Sequence, residues 1–191
     1  MTRPTSKSPR FFIALMLPPE VEAYANSVIA ELRDRYQTRT ARAAPHITLQ
    51  PPFLWDDEPQ AMDTLAQGIS AIAAQHAPVP VCLEGFSAFK PRVLYIDVCK
   101  TEALLDLQSH MAHHLEAYFG IADPKPRPYT PHVTVASRNL SPGLFRRIWV
   151  DLRSRPAHFE FICDRLTLLV HRGQWHIHSD YALQPLTQSR Q

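Results

Sequence analysis

The chain has 191 residues, 45% of them hydrophobic, and its 20 Lys and Arg against 18 Asp and Glu leave a formal net charge of +2. At about 150 residues per domain, this length and composition favour one globular domain with a real core. The small charge excludes bulk electrostatic capture of duplex DNA, no apolar run reaches the roughly 18 residues that span a bilayer, and the five glycines form no glycine-rich phosphate loop.

The N-terminus is polar for ten residues and then turns apolar. We expect residues 1–10 to be a disordered polar tail and residues 11–17 to be a buried strand. Cations precede this apolar run as they do in secretory signals, but Pro18 and Pro19 end it at about the seven-residue minimum for such a segment.

Three cysteines are widely spaced and form no C-x-x-C pair, which indicates free thiols in a reducing compartment. We therefore predict a cytoplasmic protein. The cysteines are Cys82, Cys99 and Cys163.

The first half of the chain continues with a helix. Two prolines are tolerated in a first helical turn, and apolar residues then recur at three- and four-residue steps from Val21 to Tyr36. A basic loop leads from this helix to the segment PHITL at 45–49. A second helix is expected over about 59–75 and a strand over about 79–89.

The second half repeats this order and adds one strand. Its elements are a strand at 93–98, a helix with an apolar stripe from Leu104 to Tyr118, the segment PHVTV at 131–135, a helix over about 141–153, and strands over about 158–170 and 174–184 with a turn at Arg172-Gly173. The duplicated order predicts a single domain over 11–187 with two lobes, approximate halves 11–90 and 91–187, related by an approximate two-fold axis. The pairing of the strands stays open.

The two Pro-His-x-Thr-apolar segments are the candidate site. Side chains alternate faces along a strand, so the aliphatic residues of each segment belong to the core while His46 and Thr48, or His132 and Thr134, face something polar. If the halves pack about a two-fold axis, both faces line one cleft. A single H-x-T is mostly coincidence, but two copies in matching places of a duplicated order indicate function.

Paired imidazoles are suited to displacement at phosphorus. Because the ordinary pKa of histidine is about 6.5, one ring can accept a proton from the attacking oxygen while the other donates one to the leaving oxygen. The threonine hydroxyls can bind the phosphate oxygens on which charge accumulates. This chemistry needs no metal and no cofactor.

The same segments resemble a known family. PHITL and PHVTV are similar to the two H-x-T-x motifs of the two-histidine (2H) phosphoesterases, and RFFIALMLPPEV, HITLQPPF, PRVLYIDV and PYTPHVTVA resemble blocks of its RNA 2′,3′-cyclic phosphodiesterase branch, also called the 2′-5′ RNA ligase family. The resemblance covers about residues 10–186. It implies an α+β fold with two antiparallel sheets and flanking helices around a central cleft. It also implies metal-free opening of a 2′,3′-cyclic phosphate on an RNA end or small nucleotide, usually to a 2′-phosphate, with 2′-5′ ligation as the reverse activity.

The sequence departs from that branch at two places. The branch usually carries arginine two residues after the second tetrad, where this chain has Ser137 and then Arg138. One extra strand residue changes the face of a side chain, so Arg138 is a weaker candidate for the phosphate. The first motif runs into QPPF at 50–53 rather than the common K-F-L-G.

Several neighbouring residues are candidates for substrate binding. Tyr129 could stack a base or pack against proline, and Phe53 and Trp55 could form a cleft wall or belong to the core. The cations around the motifs could attract phosphate or be solvated loop charges. These cations are Arg39, Arg42, Lys125 and Arg127.

Two other functions remain as alternatives. The same cleft could bind RNA ends or nucleotides without turnover. A metal-dependent hydrolase could instead draw ligands from His110, His114, His176 and His178, although no carboxylate stands at ligand spacing. The compact two-lobed domain favours a monomer.

Overall fold

A computed structural model describes residues 8–40, 42–123 and 127–184 of the chain. Its helices are α1 (Pro19–Tyr36), α2 (Pro59–Ala73), α3 (Glu102–Phe119) and α4 (Pro142–Leu152). Its strands are β1 (Arg10–Met16), β2 (His46–Leu54), β3 (Val79–Phe89), β4 (Val93–Val98), β5 (His132–Ala136), β6 (His158–Cys163), β7 (Arg165–Arg172) and β8 (Gln174–Ala182).

The strands form two four-stranded sheets. The first sheet has the order β2-β1-β7-β8 and the second β5-β4-β3-β6. Every pairing is antiparallel. The predicted α+β class with two antiparallel sheets is confirmed.

The sheets do not follow the two halves of the sequence. The last strand of the first half, β3, pairs with β4 of the second half, while β7 of the second half pairs with β1. Each sheet therefore contains strands from both 11–90 and 91–187. This exchange joins the halves into one folded unit.

The prediction of one strand over 158–170 was wrong. The chain leaves the second sheet at Cys163 and enters the first at Arg165, with Asp164 between the two strands. Both segments are rich in residues that favour strands, and such a pattern carries no information on which sheet a residue joins. The predicted tail lies largely outside the described residues, although Arg10 already belongs to β1.

The aliphatic faces of both sheets share one core with the helices. Ile13, Ile47, Ile96 and Val133 are fully buried, and the same cluster includes the α3 stripe from Leu104 to Leu115, whereas Tyr118 at the end of the predicted stripe is exposed. The helices begin as the sequence predicts, with prolines near the starts of α1, α2 and α4. No helix within the described residues is both long and apolar enough to cross a membrane.

The two sheets contact each other through the strands that carry the histidine motifs. The edge strands β2 and β5 contact each other, α1 lies against β5, and α3 lies against β2. Helix α1 is also tied to α4, because the Tyr36 hydroxyl donates to Asp151 at 2.7 Å. The fold thus places the two Pro-His-x-Thr segments side by side.

Candidate active site

The two histidines begin equivalent strands. His46 is the first residue of β2 and His132 the first of β5. In both strands the histidine and threonine are partly exposed while the aliphatic residues between and after them are buried. This is the alternation that the sequence predicts.

Each imidazole is held by a backbone carbonyl two residues earlier. The Nδ1 atom of His46 lies 2.7 Å from the Ala44 oxygen, and that of His132 lies 2.8 Å from the Thr130 oxygen. A carbonyl oxygen can only accept a hydrogen bond, so Nδ1 carries the proton in both rings. In the neutral rings Nε2 is therefore the basic atom, available to accept a proton.

The four side chains line one small cavity. His46, Thr48, His132 and Thr134 surround a space of about 40 Å³, and Ile29 and Thr40 are also in its wall. An adjoining cleft of about 520 Å³ shares Thr48 and His132 with it. The fold therefore places the two motifs where the small cavity adjoins the larger cleft.

Burial dominates the proton affinity of both histidines. Desolvation lowers the pKa of His46, the Ala44 carbonyl opposes this shift, and the nearby His132 reinforces it. Desolvation also lowers the pKa of His132, but the Thr130 carbonyl and the charge of Asp97 both oppose that shift. The neighbouring charges thus act in opposite directions on the pKa values of the two rings, although both rings make the same contact with a backbone carbonyl.

Aromatic side chains support each ring. Phe12 lies against His46 with ring centroids 4.7 Å apart. Tyr95 and Phe89 each lie 5.0 Å from His132. These contacts restrict ring rotation and leave the Nε2 edges as the reactive positions.

Comparison with known proteins identifies the family. A family model described as the 2′-5′ RNA ligase superfamily matches residues 17–175, which include both motifs. The chain belongs to this superfamily. The resemblance inferred from the two H-x-T-x motifs is therefore confirmed.

Similar proteins agree with this membership over nearly the full chain. A Geobacillus kaustophilus protein provisionally named a phosphoesterase is 29% identical over 177 residues, covering 90% of this chain and 95% of its own. The crystal structure of TT0787 of Thermus thermophilus is similar with a TM-score of 0.67 and 22% identity, covering 93% of this chain and 100% of that one. Escherichia coli LigT complexed with 3′-AMP gives a TM-score of 0.62 and 18% identity, covering 94% and 100%. These structures establish the shared fold.

Tyr129 and Arg127 line the larger cleft of this superfamily member. The Tyr129 hydroxyl donates to the Thr48 carbonyl at 3.0 Å, so it connects the segment before β5 to β2. Burial raises the pKa of Tyr129, which keeps the hydroxyl protonated as a donor. Arg127 is exposed at the cleft wall, and Lys125 lies outside the described residues.

Arg138 and Phe53 line neither of the two described cavities. The backbone of Arg138 pairs with Arg39, whose carbonyl accepts from the Arg138 N–H at 2.9 Å, and its side chain is exposed. Phe53 is only 9% exposed and packs against the Phe11 ring in the core. Trp55 is also buried, with its indole N–H donating to the Ala61 carbonyl at 3.1 Å. The structure thus places Phe53 and Trp55 in the core rather than in a cleft wall.

Gln50 and Phe89 are among the residues of the larger cleft that the sequence analysis missed. Gln50 is 2% exposed, and its Nε2 has no hydrogen-bond partner among the described residues. Phe89 is exposed and contacts His132 edge-on. Gln50 follows Thr48 by two residues, but a register shift lies between them, because their partners Ile13 and Ala14 are adjacent in β1. Alternation along β2 therefore gave no signal for Gln50. Phe89 reaches the cleft only through strand pairing.

The histidines proposed as metal ligands do not form a site among the described residues. His110 Nδ1 instead lies 2.8 Å from His76 Nε2, and His114 packs on the Tyr118 ring. In the described part of the chain, one group of three close donors is present, formed by Cys82, Glu84 and His158 on β3 and β6. It does not include either histidine of the cavity.

Proposed function

We propose that this protein is a metal-independent phosphodiesterase that opens 2′,3′-cyclic phosphates on RNA ends or nucleotides and forms a 2′-phosphate. The observation that carries this proposal is the shared cavity, in which two imidazoles with free Nε2 atoms and two threonine hydroxyls meet. Membership of the superfamily and the 3′-AMP complex of the similar LigT fold support a nucleotide substrate.

The reaction needs two proton transfers. One neutral imidazole accepts a proton from water as the water oxygen attacks phosphorus, and the bond from phosphorus to the 3′-oxygen breaks. The other imidazole, protonated at Nε2, donates that proton to the 3′-oxygen as it leaves. Thr48 and Thr134 donate to the non-bridging oxygens, where negative charge accumulates. With a 5′-hydroxyl in place of water, the same transfers would form a 2′-5′ linkage.

A substrate phosphate in the cavity would also favour the protonated imidazole that the reaction needs. Burial favours the neutral form of both rings, whereas the proposed acid must be charged. An anion in the cavity stabilises an imidazolium beside it. The negative charge of the substrate therefore favours the protonated imidazole that burial alone disfavours.

The test is hydrolysis of a nucleoside 2′,3′-cyclic phosphate in EDTA, with the product identified by phosphorus NMR. We expect turnover to a 2′-phosphate and a loss of about 10²–10⁴-fold in kcat for His46→Ala and for His132→Ala. His176→Ala is the matched control, because His176 is an exposed β8 residue outside the cavity. Full activity in either alanine variant would refute the proposed roles.

The same assay separates turnover from simple binding. A non-catalytic module would bind a 3′-phosphorylated oligonucleotide in the same cavity and leave the cyclic phosphate intact after long incubation. Adding an oligonucleotide with a free 5′-hydroxyl tests for 2′-5′ joining.

A further inference from the structure

We propose that the cleft-side face of the first sheet binds the single-stranded RNA that leads away from the reacting phosphate. This face, the β1–β8 face, consists of Arg10, Phe12, Leu169, His171, Trp175 and Ile177. The inference rests on the proposed function and names its substrate class as an oligonucleotide end rather than a free nucleotide.

Strand register places these residues on the same side of the sheet as His46. Met16 is the partner of His46 across β1 and β2, and Phe12 lies on the Met16 side because it is four residues earlier in β1. Phe12 pairs with Leu169, and Leu169 pairs with Ile177. The β1–β8 face is therefore continuous with the small cavity.

A chain of ring contacts runs from the active histidine across this face. Phe12 lies 4.7 Å from His46 and 4.6 Å from Trp175, and Trp175 lies 5.0 Å from His171. The backbone N–H of Trp175 also donates to the Arg42 carbonyl at 3.2 Å, which ties β8 to the loop leading into His46. Phe12 is buried and supports this row from below, whereas Trp175 and His171 are partly exposed and present the ring faces on which bases of a single strand can stack.

The apolar part of this face lies outside the main core. Phe12, Ala14 and Leu169 form a cluster of their own, with Trp175 partly exposed at its edge. Ile177, next to Leu169, is 57% exposed. Phe12 and Leu169 are buried beneath this edge, so the exposed apolar surface consists of Trp175 and Ile177. An exposed aromatic and aliphatic pair beside an active cavity is typical of a binding site.

Charge selects the first sheet over the second for a polyanion. The Arg10 guanidinium lies 5.9 Å from the centre of the Trp175 ring, and His171 is the register partner of Arg10. On the corresponding face of the second sheet, Asp97 is the partner of His132, and Glu84 and Glu160 are exposed on β3 and β6. The first sheet also carries an exposed carboxylate on this face, Asp180, but it lies further along β8, where it accepts from the Thr167 hydroxyl at 2.6 Å. Phosphates that follow the strand past Trp175 would be attracted by Arg10, whereas the carboxylates of the second sheet would repel them.

The test compares two substrates with the same cyclic phosphate end, a mononucleotide and a hexanucleotide. We expect Trp175→Ala to lower the ratio of kcat/KM for the hexanucleotide to that for the mononucleotide about tenfold or more, as the loss of one stacked base does. Trp175→Phe should restore most of the ratio. Tyr118→Ala, at an exposed aromatic on α3, is the control and should leave the ratio unchanged.

Binding provides a readout that does not depend on turnover. We expect the affinity for a 3′-phosphorylated hexanucleotide to fall in Trp175→Ala, and its salt dependence to lose about one unit of slope in Arg10→Gln but not in Arg146→Gln, at an exposed arginine of α4. If no variant or substrate shows turnover but these binding losses occur, the proposed reaction fails and the RNA surface stands. A kcat/KM ratio and an affinity in Trp175→Ala that both stay within twofold of wild type would overturn the RNA surface.

Discussion

The two histidine strands share one backbone design but differ in the residue that lies opposite each histidine on the neighbouring strand. His46 pairs across the sheet with Met16, and His132 pairs with Asp97. Both rings donate Nδ1–H to the carbonyl two residues earlier. The duplicated unit has thus kept the tautomer and changed the electrostatics, so its two imidazoles have different proton affinities and suit different roles in one reaction.

The sheet faces around the two histidines also differ in charge. Both histidines have aromatic neighbours, Phe12 at His46 and Tyr95 and Phe89 at His132, but the second sheet also places the Asp97 carboxylate opposite its histidine. A duplicated backbone therefore surrounds its two histidines with different charges. Arg10 lies near the Trp175 ring on the first sheet, and Asp97 lies opposite His132 on the second.

The largest expected effect that tests this comparison concerns the threonines. We expect Thr48→Val and Thr134→Val each to lower kcat/KM on a cyclic phosphate by about 10²–10³-fold, because each removes a donor to developing charge. Steady-state kinetics measure the loss. Thr64→Val on α2 is the control, since its hydroxyl serves only the Gln60 carbonyl at 2.8 Å within the helix. If only one threonine matters, the two halves differ in phosphate binding as well as in proton affinity.

Substituting the register partners of the two histidines should give a smaller effect, a shift of the pH–rate profile in a defined direction. Asp97 raises the pKa of His132 against the effect of burial, so Asp97→Asn should lower that pKa and move one limb of the pH–rate profile to lower pH. Movement of the alkaline limb assigns His132 as the acid, and movement of the acidic limb assigns it as the base.

The reciprocal change is Met16→Asp. A carboxylate beside His46 should raise its pKa and move the other limb to higher pH. The full pH dependence of kcat/KM for both variants is the measurement. Asp63→Asn, at an exposed carboxylate of α2, is the control for loss of charge. Unchanged profiles in both variants would show that the register partners do not set the difference between the rings.

The smallest effect concerns the connection between the two strands. Tyr129→Phe removes the hydroxyl that donates to the Thr48 carbonyl, and we expect the free energy of unfolding to fall by about 1 kcal/mol. Denaturant unfolding measures this change, with the exposed Tyr118→Phe as control. Equal stability of the two variants would mean that this hydrogen bond contributes nothing to joining the halves.

Local patterns predicted most elements of the chain because each depends on neighbours in sequence. The strands over 79–89 and 93–98 have the predicted bounds, since turn residues flank short apolar runs there. The division of 158–170 between two sheets was missed, because an alternating pattern does not report which partner strand a segment meets. Phe53 shows the same limit, since an aromatic after a motif strand can face the core or the cleft.

Within the site, alternation along a strand is enough to place both His-Thr pairs on the polar face. The residues that distinguish the two rings were beyond such reasoning. Asp97 and Phe89 lie on other strands, and only antiparallel pairing brings them beside His132. Gln50 was also beyond such reasoning, since the register shift between Thr48 and Gln50 interrupts the alternation along β2.

The sequence by itself determined the paired H-x-T-x motifs, the duplicated order of elements and the family, because these depend on residue identity and short-range periodicity. The tertiary structure alone decided that β3 pairs with β4 of the other half and β7 with β1. It also decided that Met16 lies opposite His46 and Asp97 opposite His132. The physical reason is that strand pairing and desolvation arise between residues far apart in the chain. The proton affinity of each histidine is therefore a property of the folded molecule.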